Sequence, residues 1–354
     1  MSQAWPDWLT RQFPHYDRQS FGDARREVQS ARDGSVVVPV SDWALIRLTG
    51  EDAATFLHNM VTQDIAHLAA NEWRLAGLCT AKGRLIATLL VWRDQADLLL
   101  AVAADLRDIV VKKLGMYVLR SKVKIAVEDQ TVLLGVAGPQ ATAALSALGA
   151  NTDDGMAAVP RQVSPLALSQ PIASGNEPPG QVIRLQAQSF LLAIPAEAAP
   201  AVWERLTGTL SPAGLDAWHW LQIAAGQPQV VASTQEAFIP QMLNMELPEV
   251  GGVSFTKGCY PGQEIVARTQ YLGKVKRRMI RAGVDNHYPP GTAIYLADSA
   301  GQQVGSVVSL ATAPDQGYEC LLVTQFSGDE NQLIHMGSPE GPIATRLPLP
   351  YAIP

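Results

Sequence analysis

Apolar and polar residues alternate along this chain with a period that switches between two and about 3.6, and the switches mark strands and helices. Val36 to Pro39 and Ala44 to Leu48 read as strands, the second closed by Thr49-Gly50 and followed by a helix from Glu51 to Leu57. Leu85 to Trp92 and Leu98 to Ala104 are apolar runs separated by Arg93-Asp94-Gln95-Ala96-Asp97, which suits a hairpin. A helix is expected from about Leu106 to Leu119, then a half-buried strand at Val123 to Val127. Thr131 to Ala137 predicts a buried strand, and Gly138-Pro139 turns it into a helix from Gln140 to Leu148. Strand character returns at Val182 to Leu185 and Phe190 to Ile194, with a helix at Ala198 to Leu206, so residues 131–210 suggest a small ferredoxin-like α+β unit. A helix from Leu215 to Ala225 stops at Gly226 with Pro228 beyond. Short β runs at Lys276 to Ala282, Ala293 to Leu296, Gln303 to Ser309 and Cys320 to Thr324, spaced by turns, predict a small barrel.

Two segments escape the pattern. Residues 1–35 are read as an N-terminal surface arm with one short polar helix at Asp23 to Ala31. Residues 149–180, with Pro160, Pro165, Pro171, Pro178 and Pro179, are read as an irregular, mobile insert.

At roughly 150 residues per domain, 354 residues correspond to two or three domains. Hydrophobic residues at 47% and charged residues at 17% exclude disorder driven by high charge and low hydrophobicity. No apolar run approaches the ~18 residues of a spanning helix and the N-terminus lacks a signal-peptide pattern, so no membrane association and a cytoplasmic location are expected. A net charge of −6 excludes polyanion binding by overall charge. Three separated cysteines, Cys79, Cys259 and Cys320, rule out a disulfide framework and a Cys-rich zinc site. The phosphate loop, G-x-G-x-x-G, G-x-S-x-G and H-E-x-x-H signatures are absent, and the six histidines are too scattered to propose a metal triad or any other role.

Candidate chemistry concentrates in Lys257-Gly258-Cys259-Tyr260-Pro261-Gly262-Gln263-Glu264, where two glycines and a proline force a turn before a helix. A thiol there, two residues after Lys257 and near a helix's positive end, is favoured as thiolate and offers a nucleophile or soft ligand. A buried structural cysteine in a tight turn fits the same residues. From 257 to 281 seven basic residues (Lys257, Arg268, Lys274, Lys276, Arg277, Arg278 and Arg281) face one acid, Glu264. That suits RNA phosphates or a polyglutamate tail, or equally an edge charged against aggregation. Trp43 and Trp220 stand at the ends of apolar elements, where an indole packs in the core or stacks on a flat heterocycle.

The stretch Lys257-Gly258-Cys259-Tyr260-x-Gly262-Gln263-Glu264 matches K-G-C-Y-x-G-Q-E in full. Together with Asp42-Trp43-Ala44-Leu45, Phe56-Leu57 to Thr62-Gln63-Asp64, Cys79-Thr80-Ala81-Lys82-Gly83-Arg84 and Trp220-Leu221 to Gly226-x-Pro228, it makes the sequence resemble the YgfZ family. These are folate-binding proteins related to the glycine-cleavage T protein and to a mitochondrial iron-sulfur assembly factor. The resemblance implies an α+β three-part ring around a central folate site. Its parts are a discontinuous first domain (36–130 plus 211–273), an inserted ferredoxin-like domain (131–210) and a C-terminal β-barrel (274–354). It implies tetrahydrofolate as cofactor, with Trp43 and Trp220 as binding positions, and Cys259 as the functional thiol supported by Lys257. It further implies a task in maturation or repair of iron-sulfur enzymes, such as tRNA-thiolating radical enzymes, and thereby in tRNA modification, with weak tRNA contact through 257–281. The S/R-x-x-G-Y-T-G-E stretch of true aminomethyltransferases is missing around Arg184 to Pro195, and Thr80 stands where many relatives carry an acid. An accessory factor is therefore expected, with folate-dependent one-carbon transfer as the alternative.

Overall fold

A computed structural model describes residues 4–150, 161–166, 180–273, 275–297, 299–325 and 332–354, and shows two open sheets and one closed barrel. The first sheet places Trp73–Cys79, Leu85–Asp94, Asp97–Ala103, Trp43–Thr49 and Lys124–Glu128 side by side, each neighbour antiparallel. Its strand Leu85–Asp94 is buried along both faces as far as Trp92, which is why it reads as a continuous apolar run without alternation. Trp73–Cys79 was not anticipated from the sequence; it contains no β-branched residue, and its register on Leu85–Asp94 holds it in the sheet.

The second sheet runs Ser211–Pro212, Val36–Pro39, Thr131–Ala137, Ser189–Pro195, Gln181–Gln186, Val163–Pro165. Without Val36–Pro39 and Val163–Pro165, its strands have the spatial order of a ferredoxin-like unit, with helices Ala141–Ala147 and Ala199–Thr207 between them in the chain. Val36–Pro39, expected with the first domain, instead pairs antiparallel with Thr131–Ala137 and parallel with Ser211–Pro212. Both its faces are covered, so Val37 belongs to one core cluster and Val36 and Val38 to another.

The N-terminal segment is not a surface arm. Helix Ala4–Gln12 buries Trp5 and Leu9, and Trp5, Phe13 and Phe21 surround Trp203 with ring centroids 5.9, 6.1 and 5.6 Å away. Two buried positions one turn apart make too short a pattern to detect alone, and their partner lies nearly 200 residues on. Within the expected irregular insert, residues 161–166 are likewise ordered: Val163–Pro165 pairs with Gln181–Gln186, while the Trp73 amide donates to the Arg161 carbonyl at 3.1 Å. This short strand thus ties the edges of the two sheets together. Residues 151–160 and 167–179 of the insert lie outside the described residues.

The barrel closes in the order Arg277–Val284, Tyr318–Gln325, Gln303–Thr312, Ala293–Leu296, Ile334–Met336, Ile343–Leu347. Between it and the second sheet lies helix Leu215–Ala224, seated on Gly135, where a Cβ would come within 2.4 Å of the Trp218 ring. Among the described residues no helix is long and apolar enough to cross a membrane.

Candidate functional site

Trp43, Trp73, Leu75, Thr88, Leu90 and Ala101 line a cavity from one face of the first sheet, as the register Leu75↔Leu90↔Ala101 and Trp43↔Ala103 requires. Leu185 from the second sheet, Gln222 from helix Leu215–Ala224 and the Gln227-Pro228-Gln229 turn complete it as a narrow slot of about 50 Å³. Among the described residues no charged side chain lines this space. The Thr88 hydroxyl accepts from the Val230 amide at 3.0 Å, and the Trp73 indole donates to the Arg184 carbonyl at 2.6 Å. By contrast the Trp43 indole N–H is buried without a partner, and the amides of Gln222, Gln227 and Gln229 have no side-chain hydrogen bond among the described residues. Trp203, Trp218 and Trp220 also carry buried indole N–H groups without a partner among the described residues, but of the four only Trp43 lines this cavity. An apolar slot with a flat aromatic wall and a few free amides suits a planar heterocycle with donors and acceptors on its edge.

Trp220 is buried in the core on the helix that supplies Gln222, and is not part of the cavity lining. The residues preceding the two indoles meet directly: His219 Nε2 lies 2.6 Å from Asp42 Oδ2. This contact joins the start of strand Trp43–Thr49 to the helix. Sequence reasoning assigned His219 no role, because its partner is 177 residues away. Burial alone would lower the imidazole pKa, but the Asp42 carboxylate outweighs it and raises the pKa above the ordinary value. A folded-state pKa above the unfolded one contributes stability fully present below about pH 6.5 and lost as pH rises through the elevated value. The difference in melting temperature between wild type and Asp42→Asn should therefore be widest near about pH 6 and shrink towards about pH 9. A gap independent of pH would remove the charge from the interaction.

The Cys259 turn lies apart from the cavity lining. Lys257 is buried; its Nζ donates to the carbonyls of His58 and Val61, the latter at 2.6 Å, and lies 4.9 Å from the centre of the Tyr260 ring. Desolvation lowers its pKa to about 8, so it is still chiefly an ammonium at neutral pH. Cys259 is exposed, whereas burial pushes the thiols of Cys79 and Cys320 up to about 12. The helix begins only at Gln263, so the thiol stands before its first turn, and the nearby charge is Lys257. Gly262 permits the turn: at φ +85 a Cβ would sit 2.4 Å from the Thr80 carbonyl oxygen and 2.7 Å from Gly83, packing the Cys259 turn onto the Thr80-Ala81-Lys82-Gly83 loop.

His58 stands beside this turn, its Nε2 3.9 Å from where a Cβ on Gly258 would lie. Its Nδ1 is 3.0 Å from Asp64 Oδ1, and His67 Nδ1 is 2.8 Å from Asp64 Oδ2. Desolvation opposes ionisation of Asp64, yet the hydrogen bonds from His67 and the nearby imidazoles hold its pKa down at about 2. Desolvation and the Lys257 charge lower the His58 pKa.

The basic stretch is less exposed than its composition suggests. Lys257 is bound to backbone carbonyls, Arg278 is buried against Glu246, and Arg281 Nε is 2.8 Å from Glu319. Arg268 and Lys276 are exposed and Arg277 is half-buried, none with a carboxylate partner among the described residues; Lys274 lies outside them.

The fold is that of a GCVT-domain protein. A family model for the GCVT N-terminal domain matches residues 4–247. The chain resembles a solved glycine cleavage system aminomethyltransferase T from Bartonella henselae (TM-score 0.65, 18% identity), over 91% of this chain and 87% of that one. It is 31% identical over 320 residues to the tRNA-modifying protein YgfZ of Sodalis glossinidius, covering 90% of this chain and 93% of the relative. To the protein of the same name from Klebsiella pneumoniae it is 35% identical over 257 residues, or 72% and 73% of the two chains. The chain belongs to the GCVT-domain family and stands with its YgfZ members.

Proposed function

We propose that this protein binds tetrahydrofolate in the Trp43 cavity and acts as an accessory factor in tRNA modification, supporting maturation or repair of iron-sulfur enzymes through Cys259. The observation carrying this reading is the cavity: an indole wall with a buried unpartnered N–H, an apolar floor and three free glutamine amides. When bound, tetrahydrofolate carries one-carbon units at its reduced pterin. Trp43 would stack on the pterin, with Gln222, Gln227 and Gln229 meeting its polar edge and Trp220 supporting the helix that presents Gln222. Among the described residues no carboxylate lines the cavity to move a proton at the pterin, which favours binding over one-carbon transfer. Relatives carrying the name tRNA-modifying protein support the task. Cys259, the one exposed cysteine, is the thiol available to a client protein, with Arg268, Lys276 and Arg277 left for weak tRNA contact.

Titration of the purified protein with tetrahydrofolate, followed by intrinsic tryptophan fluorescence, should show saturable binding; a folded protein that binds none refutes the reading. Cys259→Ser should keep wild-type folate affinity, because the thiol lies outside the cavity, and should fail to restore thiolated nucleosides to the tRNA of a strain lacking the protein. Full restoration by that variant would take the thiol out of the mechanism.

A further inference from the structure

From Arg107 to Lys124 six basic residues stand against one acid, Asp108, in a protein whose net charge is −6. Helix Arg107–Gly115 buries Val110 and Leu114 and packs on strands Trp43–Thr49 and Lys124–Glu128, which leaves its other side to solvent. Ile109, Lys112 and Met116 are exposed at spacings of three and four, so they share that outer side. Beside them Lys113 Nζ lies 5.5 Å from the centre of the exposed Tyr117 ring. The turn that follows is pinned: the Ser121 amide donates to the Val118 carbonyl and the Lys122 amide to Asp52 Oδ2, each at 2.7 Å. It keeps Leu119 in a left-handed conformation, φ +33, and 89% exposed, beside the exposed Arg120. A leucine there costs backbone energy and gains no burial, which suits a contact surface and not the needs of folding.

Most of this charge is free. Lys112, Lys113, Arg120 and Lys124 have no carboxylate partner among the described residues. Arg107 pairs with Asp108, and Lys122 with Glu51 in an ion pair exposed on both sides, which water weakens. In the 257–281 stretch, by contrast, folding neutralises Arg278 and Arg281 and buries Lys257. Lys124 begins the outermost strand of the first sheet, where a lysine also protects an edge against aggregation. That explanation does not reach Lys112, Lys113 or Arg120, which lie on the helix and the turn.

We propose that this face, made of helix Arg107–Gly115, the turn after it and Lys124, is an RNA-docking surface on which the free cations hold phosphates and Tyr117 stacks on an unpaired base, such as the loops of a tRNA offer. This rests on the tRNA-modification reading above and places the main RNA contact away from the Cys259 helix. Cations interleaved with apolar side chains suit a polymer in which phosphates and bases alternate. Insertion into a lipid surface needs an unbroken apolar stripe, and here Lys112 stands between Ile109 and Met116 while Arg120 follows Leu119. None of these residues lines the Trp43 cavity, so RNA and folate do not compete for them.

The test is fluorescence anisotropy of labelled unfractionated tRNA titrated with the full chain at several salt concentrations. Wild type should bind with an affinity that falls steeply as salt rises. Each phosphate contact contributes roughly 0.7–0.9 to the slope of log affinity against log salt. Lys112→Gln combined with Arg120→Gln should therefore lower the slope by about 1.5 and the affinity at about 0.1 M salt by about thirtyfold. Tyr117→Ala should lose roughly fivefold to a hundredfold at unchanged slope, and Tyr117→Phe should keep most of the affinity. These substitutions change exposed side chains outside the cavity, so the wild-type melting temperature and tetrahydrofolate affinity should be retained. An unchanged slope in the double variant overturns the assignment of this face. Wild type that binds no tRNA overturns it too, and co-sedimentation with phosphatidylserine–phosphatidylcholine vesicles would then reassign the face to lipid. Failure of wild type to restore thiolated nucleosides to a strain lacking the protein overturns instead the tRNA reading beneath it.

Discussion

Replacing Glu246 with leucine should destabilise the protein by about 3–5 kcal/mol, measured as a lower midpoint of denaturant unfolding followed by circular dichroism. Glu246 and Arg278 form an ion pair whose side chains are only 5% and 7% exposed. Desolvation raises the Glu246 pKa despite the arginine beside it, so the pair offsets its own burial rather than adding much stability. Removing one member leaves the other charged, buried and unpaired, which is the expensive state. Glu246→Leu combined with Arg278→Met should accordingly recover most of the loss. A single substitution costing less than about 1 kcal/mol would show that water reaches the pair. The contact also matters for the site. Gln241 donates to the Val266 carbonyl at 2.7 Å and Asn244 to that of Met279 at 2.8 Å, so residues 241–246 fasten both the helix after Cys259 and the first barrel strand. Unfolding of the barrel in Glu246→Leu should thus be accompanied by loosening of the Cys259 turn, visible as faster thiol modification.

Trp43→Ala should lower tetrahydrofolate affinity by roughly thirty- to several-hundredfold, corresponding to about 2–4 kcal/mol from lost apolar contact and stacking together. Trp43→Phe keeps a ring and should lose less. Trp220→Ala should differ in kind: Trp220 is buried in the core and outside the cavity lining, so its removal should reduce stability by about 3–5 kcal/mol and affect affinity chiefly through the helix carrying Gln222. Calorimetry and thermal melts on the same preparations separate the two effects. Unchanged affinity in a folded Trp43→Ala protein would move the ligand elsewhere.

Much of the fold is legible in the sequence. The hairpin Leu85 to Ala104, the helices near 141–147, 199–207 and 215–224 and four of the six barrel strands follow from periodicity and turn residues. The Lys257-Gly258-Cys259-Tyr260-x-Gly262-Gln263-Glu264 stretch was recognisable because its turn needs a left-handed residue at Gly262, a local requirement written into residue type. The two missed barrel strands, Ile334–Met336 and Ile343–Leu347, are three and five residues long, too short for a period to emerge.

The site was only partly legible. Trp43, Lys257 and Cys259 were singled out from the sequence; Trp73, the glutamine amides, His58, His219 and Arg161 were not, because each takes its place from residues far away in the chain. Arg161 illustrates the limit: it reads as one cation in a proline-rich stretch, and only the pairing of its backbone with Trp73 brings its guanidinium beside that indole. The basic run 257–281 shows the converse, since Glu246 and Glu319 neutralise charges that composition counts as free.

What the sequence by itself determined was the local alphabet: where most of the longer strands and helices lie, which turn needs glycine, and that one cysteine lies in a glycine-proline turn beside a lysine. The tertiary structure alone decided that Val36–Pro39 enters the second sheet, that helix Ala4–Gln12 docks on Trp203, and which cations have counter-ions. The physical reason is one of range: backbone propensity acts over a few residues, whereas burial and charge pairing depend on neighbours that folding brings together from distant positions.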